Sequence, residues 1–287
     1  MKQKPFFSII IPALNEELDL PLLLQDLANQ SFKSFEVILV DGHSEDKTIK
    51  KAEEFAKELP SLTIINSPKR NVSTQRNLGA KTAKGKYLLF NDADNRLPEF
   101  FLEGIKYNLS RKPSDVFTCW CAADTSKTAD KTIATILNMA IETAELIDYP
   151  GALGALIGCK TNKFSKVGGF DPKLPFAEDG EFVRRAYRKK LKFTIYRSPK
   201  FVVSLRRFRK EGRLKALQQY AKLHLKIITQ KNISRQEYPM GGQAFKDNPG
   251  LQTFFNKIQT TLKVVKEKPQ LKKRLRSLIH IFEDNGF

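Results

Sequence analysis

The stretch Tyr87–Asn95, which reads YLLFNDADN, leads from an apolar run into two carboxylates that lie two residues apart. The run Tyr87–Phe90 is typical of a buried strand, and Asp92 and Asp94 follow at its exit. Two carboxylates so placed can converge on one hard cation, because Mg²⁺ and Mn²⁺ take oxygen ligands and commonly share them with substrate phosphates. Asp and Asn are also frequent in turns, so the stretch alone is equally consistent with a polar turn.

The sequence before this stretch alternates between apolar runs and amphipathic helical patterns. Strands are predicted over residues 6–11, 35–40, 62–66 and 86–90, and helices over 20–27, 46–59 and 72–84. This alternation indicates a mostly parallel sheet, whose ligand site lies outside the carboxyl ends of its strands. Asn15 and Glu16 follow the first strand, and Asp41 ends the second. The polar groups of three strand ends should therefore meet at one edge of the sheet.

The sequence after this stretch predicts a mixture of helices and strands. Helices are expected over 97–109, 128–147 and 178–190, strands over 115–121 and, in one or two pieces, over 192–204, and a loop or strand over 151–159. Glu178 and Asp179 stand at the start of the last predicted helix. They are either a charge pair that complements the helix dipole or a pair with an acid–base role in catalysis.

The charge of the chain indicates an anionic partner. The 287 residues carry a formal net charge of +19, which suits nucleic acid, an anionic membrane surface or phosphorylated substrates. Residues 206–287 contain 19 Lys and Arg against 6 Asp and Glu, so most of the excess lies there. No apolar run reaches the roughly 18 residues of a spanning helix, and no signal peptide pattern is recognised.

The three cysteines, Cys119, Cys121 and Cys159, are odd in number and have no metal-ligand spacing with histidine. This pattern favours a reduced protein with buried, apolar thiols. The expected location is the cytoplasm, either free or peripheral on the inner face of the membrane.

Seven segments resemble, in order and spacing, the family 2 glycosyltransferases of the GT-A fold. They lie within about residues 5–212 and read SIIIPALNEE (8–17), VDGHSEDKT (40–48), QRNLGA (75–80), NDAD (91–94), GGFD (168–171), ED (178–179) and RRF (206–208). The resemblance implies an α/β fold with a Rossmann-like, mixed but mostly parallel sheet flanked by helices. Residues 1–212 would form the catalytic domain, with 1–95 as its nucleotide-binding half and 96–212 as its acceptor-side half. Residues 213–287 would form a basic, amphipathic helical extension.

The resemblance also implies a divalent metal, Mn²⁺ or Mg²⁺, at the acidic stretch. Asp92 and Asp94 match the metal-binding Asp-x-Asp motif of the family, and Asp94 is expected to contact the metal more directly. The metal would neutralise the charge that develops on the departing nucleoside diphosphate.

The residues that the resemblance assigns to the nucleotide lie mostly in the first half of the chain. Asp41 would accept hydrogen bonds from the base, Glu16 or Glu17 would touch the base or ribose, and Arg76 would lie over the nucleotide. The full set of substrate-binding residues implied there is Pro12, Ala13, Asn15, Glu16, Asp41, Arg76 and Asp92.

Two further matches concern the acceptor side. Asp179 matches the general base of the family, with Glu178 beside it, and the apolar loop over 170–177 could raise the pKa of this acid. Arg206 and Arg207 stand where processive members carry Gln-x-x-Arg-Trp. The Gln is absent and Phe208 replaces the Trp, which indicates a non-processive enzyme whose arginines could clamp a diphosphate.

The predicted function is therefore an inverting, metal-assisted, non-processive hexosyltransferase. It would move a sugar from a UDP- or GDP-linked donor to a hydroxyl or a lipid-linked phosphate acceptor. One alternative is a sugar nucleotidyltransferase, although the segment after the first strand, 12–16, is not the Gly-rich, basic loop that a triphosphate requires. Another is a non-catalytic protein that binds membrane or RNA through 213–287.

The basic extension itself permits two interpretations. Its amphipathic patterns suit an anionic membrane surface, and they equally suit packing on the catalytic domain with solvated lysines outside. No nucleic-acid-binding motif accompanies its charge, so no nucleic acid partner is expected.

Overall fold

A computed structural model describes residues 4–146, 148–152, 154–174, 177–212 and Ala216. The strands are β1 Phe7–Ala13, β2 Phe35–Asp41, β3 Leu62–Asn66, β4 Tyr87–Asn91, β5 Val116–Ala123, β6 Leu156–Lys160 and β7 Phe193–Val203. The helices are α1 Leu20–Ala28, α2 Thr48–Glu53, α3 Val72–Thr82, α4 Phe101–Arg111, α5 Thr128–Leu146, α6 Thr161–Val167, α7 Glu178–Arg188 and α8 Arg206–Glu211, with a 3₁₀ turn at Glu54–Lys57.

The seven strands form one sheet in the order β3-β2-β1-β4-β6-β5-β7. All neighbours are parallel except those of β6, which runs antiparallel to both β4 and β5. The prediction of a mixed, mostly parallel sheet is confirmed. The chain order reverses beside β1, which lies between β2 and β4, and ligands of such sheets bind at the carboxyl ends next to that reversal.

Strands β1, β2 and β4 are buried along their whole length. Continuous apolar strands of this kind are covered on both faces. On one face, Ile9 and Leu39 share a core with residues of α1 and α4. On the other face, Ile10 shares a core with Phe170 and with Phe182 of α7. The period-2 alternation of side chains divides each strand between the two cores.

Helix α3 lies unusually close to the second face. A Cβ atom at Gly79 would come within 2.5 Å of Cγ2 of Ile10, so only glycine permits this approach. The close packing sets the polar residues of the preceding turn, Gln75–Asn77, against the strand ends.

The second half of the chain differs from the sequence prediction in two places. Of the one or two strands predicted over 192–204, the structure has one, β7, which pairs with β5 through a register shift between Cys119 and Cys121. Helix α4 begins at Phe101 rather than at residue 97. Helix α6 was not predicted, because its seven residues are too few for a clear period. The predicted burial of Cys119, Cys121 and Cys159 is confirmed, and burial raises the pKa of all three free thiols.

The chain divides into two compact units, Met1–Glu142 with Pro150–Leu205, and Thr143–Tyr149 with Arg206–Phe287. The sheet and its flanking helices belong to the first unit. In the second unit, Nε of Arg207 donates to Oε1 of Glu211 at 3.0 Å within α8. The predicted basic extension at 213–287 lies outside the described residues, apart from Ala216. Among the helices that the structure describes, none is both long and apolar enough to cross a membrane.

Candidate active site

The carboxyl ends of β1, β2 and β4 meet at one edge of the sheet, as predicted. Ala13 pairs with Asp41 in the parallel register, and the backbone N–H of Gly42 donates to the carbonyl of Ala13 at 2.8 Å. Asp92 directly follows β4, and its N–H donates to the carbonyl of Ala155 at 3.0 Å. Because β6 is antiparallel, the segment before it enters the same edge next to Asp92.

The loops after β1 and β2, Asn15–Glu17 and Asp41–Thr48, are termed the base-side loops. Asp41 is buried, and its carboxylate accepts from Ser44 twice, from N–H at 2.9 Å and from Oγ–H at 2.5 Å. Asn15 adopts a left-handed backbone with φ 54° and donates its N–H to Oγ of Ser44 at 2.9 Å. The two loops are thus joined at Ser44.

A second set of bonds joins the base-side loops further out. The N–H of Glu16 donates to Oγ1 of Thr48 at 2.8 Å, and the N–H of Glu17 donates to Asp46 at 3.1 Å. Burial opposes ionisation of Asp46, but hydrogen bonds from Thr48 and Glu17 outweigh it and lower the pKa of Asp46. The carboxylate of Asp46 is thus held by backbone amides and a hydroxyl.

The end of β4 has a different chemistry, built around Arg76 of α3. The Arg76 side chain is only 2% exposed. Its Nη1 donates to Oε1 of Glu178 at 2.8 Å, and its Nη2 donates to Oδ1 of Asp92 at 2.9 Å and to the carbonyl of Gly154 at 3.0 Å. Its Cζ lies 5.2 Å from the ring centre of Phe170.

Asp179 lies beside this arrangement without bonding to Arg76. Its Oδ1 accepts from the N–H of Gly180 at 2.6 Å, and a Cβ at Gly154 would come within 2.3 Å of its Oδ2. Arg76, Asp92, Glu178 and Asp179 are termed the charge cluster. It holds three carboxylates and one guanidinium.

Two carboxylates of the charge cluster have raised pKa values, and burial is the main cause. Burial, helped by the charge of Glu178, raises the pKa of Asp179 to about 7. Burial also raises the pKa of Asp92, although the neighbouring Arg76 opposes the shift. Raised carboxyl pKa values of this kind are common at sites where carboxylates act in catalysis.

Helix α7 begins with two acidic residues, Glu178 and Asp179, and the residue before them has an unusual backbone conformation. Ala177, the residue before the helix, has φ 56°, a left-handed conformation that a non-glycine residue adopts only when its surroundings enforce it. The partial positive charge at a helix N-terminus favours carboxylates at Glu178 and Asp179.

The structure brings together most of the predicted site residues of the first unit. Arg76, Asp92, Glu178 and Asp179 form the charge cluster, and Asp94 lies half-buried two residues beyond Asp92. The others lie at the end of β1 or in the base-side loops: Pro12, Ala13, Asn15, Glu16 and Asp41. Arg206 and Arg207 lie in α8 of the second unit. Their predicted contact with a diphosphate stays a prediction.

Three residues of the site were missed by the sequence prediction. Gln75 donates through Nε2 to the carbonyls of Ala13 and Val40 at 2.9 and 2.8 Å. Asn77 donates to the carbonyl of Phe170 at 2.7 Å and accepts from its N–H at 2.8 Å. Gly154 supplies the carbonyl that Arg76 binds. For Gln75 and Asn77 the available signal was the run of five polar residues in α3, 73–77.

The fold and the carboxylates at its edge define an α/β protein of the GT-A class. A family model described as glycosyl transferase family 2 matches residues 8–167, more than half of the chain. The chain therefore belongs to glycosyl transferase family 2.

Relatives of known sequence agree with this assignment. An uncharacterized glycosyltransferase of Haemophilus influenzae is 29% identical over 194 residues, which are 66% of this chain and 64% of the relative. A PGL/p-HBAD biosynthesis glycosyltransferase of Mycobacterium tuberculosis is 43% identical over 96 residues, 33% of this chain and 38% of the relative. The chain thus matches less than two thirds of the length of these relatives.

Solved structures show the same fold. S. aureus TarS 1–349 in complex with UDP-GlcNAc matches with a TM-score of 0.58 and 24% identity over 69% of this chain and 58% of TarS. The mannosyltransferase PcManGT from Pyrobaculum calidifontis, in complex with GDP-Man and Mn²⁺, matches with a TM-score of 0.60 and 18% identity, over 83% of this chain and 68% of its own.

Proposed function

We propose that this protein is an inverting, non-processive glycosyltransferase that uses a nucleoside-diphosphate sugar and a divalent metal. The observation that carries the proposal is the charge cluster at the carboxyl end of β4. It combines a carboxylate of raised pKa, Asp179, with Asp92 at a strand exit, and Asp94 lies two residues beyond Asp92. Membership of the family and the fold of TarS and PcManGT support the reaction class.

Asp179 suits the role of general base. Inversion at the sugar requires one displacement, in which the acceptor oxygen attacks opposite to the departing diphosphate and loses its proton to a base. A base is most effective when its pKa lies near the working pH, and the pKa of Asp179 is raised to about 7. The Asp179 carboxylate would take the proton while the bond from the sugar carbon to the diphosphate breaks.

The same property favours a hydroxyl acceptor over a lipid phosphate. A hydroxyl needs a base in order to attack, whereas a phosphate monoester already carries an anionic oxygen at neutral pH. An acidic charge cluster would also repel a phosphate that approached the acceptor side. Lipid linkage of the acceptor elsewhere in its structure is compatible with this preference.

The base-side loops suit the nucleotide. The buried Asp41 carboxylate already accepts two bonds from Ser44, and a carboxylate has lone pairs for a further N–H of a nucleobase. We propose that Pro12, Ala13, Asn15 and Glu16 line the same slot. TarS bound to UDP and PcManGT bound to GDP-Man support a UDP- or GDP-linked donor.

The residues at the end of β4 fit a divalent metal. Asp92 keeps 36% of its side chain exposed while one oxygen binds Arg76, and the cluster has more carboxylates than cations. Asp94 and Asp92 would hold Mn²⁺ or Mg²⁺, whose remaining ligands would be diphosphate oxygens and water. Within the part of the chain that the structure describes, no group of three His, Cys, Asp or Glu could hold a metal. When bound, the metal supplies Lewis-acid stabilisation of the departing diphosphate.

Two components of the proposal rest on sequence alone. The replacement of the Gln and Trp of Gln-x-x-Arg-Trp at Ser204–Phe208 supports a non-processive enzyme. The basic residues of 213–287 support a cytoplasmic protein that contacts an anionic membrane surface at its inner face.

A binding panel followed by a transfer assay tests the function. The melting temperature of the full chain is measured with UDP, GDP, CDP and dTDP, each with Mn²⁺ and with EDTA. We expect one or two of these nucleotides to stabilise the protein, and only with the metal. The matching sugar nucleotides are then supplied with candidate acceptors, and NMR reads the anomeric configuration of the product. Absence of any nucleotide binding, or a retained configuration, would overturn the proposal.

A further inference from the structure

We propose that Arg76 is a positioning residue that holds the carboxylates of the site in place and does not bind the nucleotide. Its guanidinium joins Asp92, Glu178 and the carbonyl of Gly154 in one arrangement. This inference rests on the proposed function and replaces the sequence-based expectation that Arg76 lies over the nucleotide.

The burial of Arg76 argues against contact with a ligand. Its side chain is 2% exposed, and both terminal nitrogens already donate to protein acceptors. One side of the guanidinium lies toward the ring of Phe170, with Cζ 5.2 Å from the ring centre. The third nitrogen, Nε, is buried and has no hydrogen-bond partner among the described residues. Because the side chain is buried, a diphosphate could reach this guanidinium only if the side chains around it moved.

The partners of Arg76 come from distant parts of the sequence. Asp92 is 16 residues away, Gly154 is 78 residues away and Glu178 is 102 residues away. They belong to three separate segments, namely the exit of β4, the entry to β6 and the start of α7. Strand pairing already joins the exit of β4 to the entry of β6, and the planar fork of Arg76 ties the start of α7 to both of them.

The effect of Arg76 on Asp179 is indirect. Arg76 holds Glu178, the residue before Asp179, and it holds Gly154, against which the Asp179 carboxylate packs. On the other side it holds Asp92, the first carboxylate of the proposed metal pair. Loss of the fork should therefore displace the base and one metal ligand together, while the base-side loops, which Arg76 does not touch, keep their shape.

Replacement by lysine separates the charge of Arg76 from its geometry. An ammonium group keeps the positive charge but is a point donor, and it cannot bridge two carboxylates and a carbonyl with a planar fork. If Arg76 were mainly a charge that attracts the nucleotide, Arg76→Lys would retain much of its function. If Arg76 is a positioning residue, the substitution leaves the carboxylates of the site without the planar fork that holds them.

The test compares Arg76→Lys with a matched control, Arg185→Lys. Arg185 in α7 also makes two bonds to one carboxylate, Glu181, and one to a carbonyl, that of Val167. Calorimetry measures the affinity of each full-length variant for the nucleoside diphosphate in the presence of Mn²⁺, and steady-state kinetics measures kcat and KM for the sugar donor. Circular dichroism confirms that each variant is folded.

We expect Arg76→Lys to lower kcat by about 10²-fold, because a misplacement of about 1 Å in a catalytic group has that effect. Nucleoside diphosphate affinity should fall much less, by about tenfold at most, since the base-side loops and Asp94 are untouched and only one proposed metal ligand, Asp92, is displaced. Arg185→Lys should change neither kcat nor affinity by more than about threefold. A loss of nucleotide affinity in Arg76→Lys with kcat unchanged, or a loss of affinity as large as the loss of kcat, would overturn the inference.

A second variant keeps the inference testable if Arg76→Lys does not fold. Glu178→Gln preserves shape but weakens the bond through which Arg76 positions the start of α7. We expect kcat to fall and nucleotide affinity to stay near that of wild type, and an unchanged kcat would overturn the inference. Absence of nucleotide binding in the wild type would overturn the proposed function as well. A loss of nucleotide affinity with unchanged kcat in the variants would overturn only the role of Arg76.

Discussion

The base-side loops and the charge cluster lie on the same edge of one sheet, but their carboxylates have different hydrogen-bond donors and different pKa shifts. In the base-side loops, Asp41 and Asp46 accept from hydroxyls and backbone amides, and the pKa of Asp46 is lowered. In the charge cluster, Asp92 and Glu178 share the guanidinium of Arg76 while Asp179 lies beside them, and the pKa values of Asp92 and Asp179 are raised.

The difference indicates two roles for two parts of one edge. Carboxylates that accept from several neutral donors are held in one position, which suits recognition of a base. Carboxylates that are crowded and short of cations attract a metal ion or a proton, which suits catalysis. The predictions that follow test this contrast, in order of decreasing expected effect.

The largest effect is expected from Asp179→Asn. The variant cannot accept the acceptor proton, so kcat should fall by about 10²- to 10⁴-fold, the usual contribution of a general base. Nucleoside diphosphate affinity should not change, because Asp179 lies in the charge cluster and not in the base-side loops. Turnover at the wild-type rate would assign the base to another residue.

Removal of the metal should have the second largest effect on activity. EDTA, or the substitution Asp94→Asn with Mn²⁺ present, should reduce kcat/KM by about 10²-fold or more, since a bound metal contributes several kcal/mol to stabilisation of the transition state. Titration with Mn²⁺ should restore EDTA-treated wild type fully and Asp94→Asn only at higher metal concentration. Equal activity with and without EDTA after extensive dialysis would contradict the role of this pair.

The activity should depend on pH through Asp179. The base must be ionised, and its pKa is raised to about 7. We therefore expect kcat/KM to rise with pH and to level off above an apparent pKa of about 7, so that activity at pH 6 is about one tenth of the plateau. The pH range from about 5.5 to about 8 spans that pKa. A profile that is flat over this range would argue against Asp179 as the base.

The same pKa has an opposite consequence for stability. A raised carboxyl pKa means that the folded protein binds the proton more tightly than the unfolded chain. Stability contributed by the protonated form is therefore lost as pH rises from about 4, the unfolded value, to about 7. Asp179→Asn lacks this titration, so its melting temperature should exceed that of wild type at pH 8 by more than at pH 5. An equal difference in melting temperature between variant and wild type at both pH values would contradict the raised pKa of Asp179.

A smaller effect is expected from Asp41→Asn in the base-side loops. The amide can keep one acceptor bond from Ser44 but loses the charge that strengthens a bond to a nucleobase N–H. Donor affinity should fall by about tenfold, the value of one hydrogen bond to a charged group, with kcat nearly unchanged. Calorimetry with nucleoside diphosphates checks the affinity, and a fall in kcat alone would place Asp41 with the charge cluster.

The smallest effect is expected from Ser44→Ala. The substitution removes the hydroxyl that donates to Asp41 and accepts from the N–H of Asn15. The free energy of unfolding should fall by about 1 kcal/mol, the usual net value of a hydrogen bond, as measured by urea denaturation. A change of zero would indicate that the loops hold their shape without this bridge.

The first half of the chain was predicted well, and the reason is physical. The strands β1 to β4 are short, mostly apolar runs, and β2, β3 and β4 end in a polar residue, so hydrophobic pattern and turn chemistry agree. The ends at Asp41 and Asp92 follow directly from that pattern. The positions of Asn15, Asp41 and Asp92 on one edge follow because the carboxyl ends of parallel strands share an edge.

The second half was predicted less well where local signals are weak. Residues 151–159 are small and apolar, and only pairing with β4 and β5 makes Leu156–Lys160 a strand. The sheet likewise determines that residues 192–204 form one strand, since β5 pairs along both parts of β7 through a register shift. Tertiary contacts override weak local preference in such segments.

The sequence by itself determined the class of fold, the edge that bears the site and most of the acidic residues on it, because these depend on local patterns and on the geometry of parallel strands. Only the tertiary structure decided what Arg76 does. An arginine in a helix is normally exposed, and nothing local predicts its burial. Its partners lie 16, 78 and 102 residues away, and packing of α3 against β1, made possible by Gly79, brings them within hydrogen-bond distance.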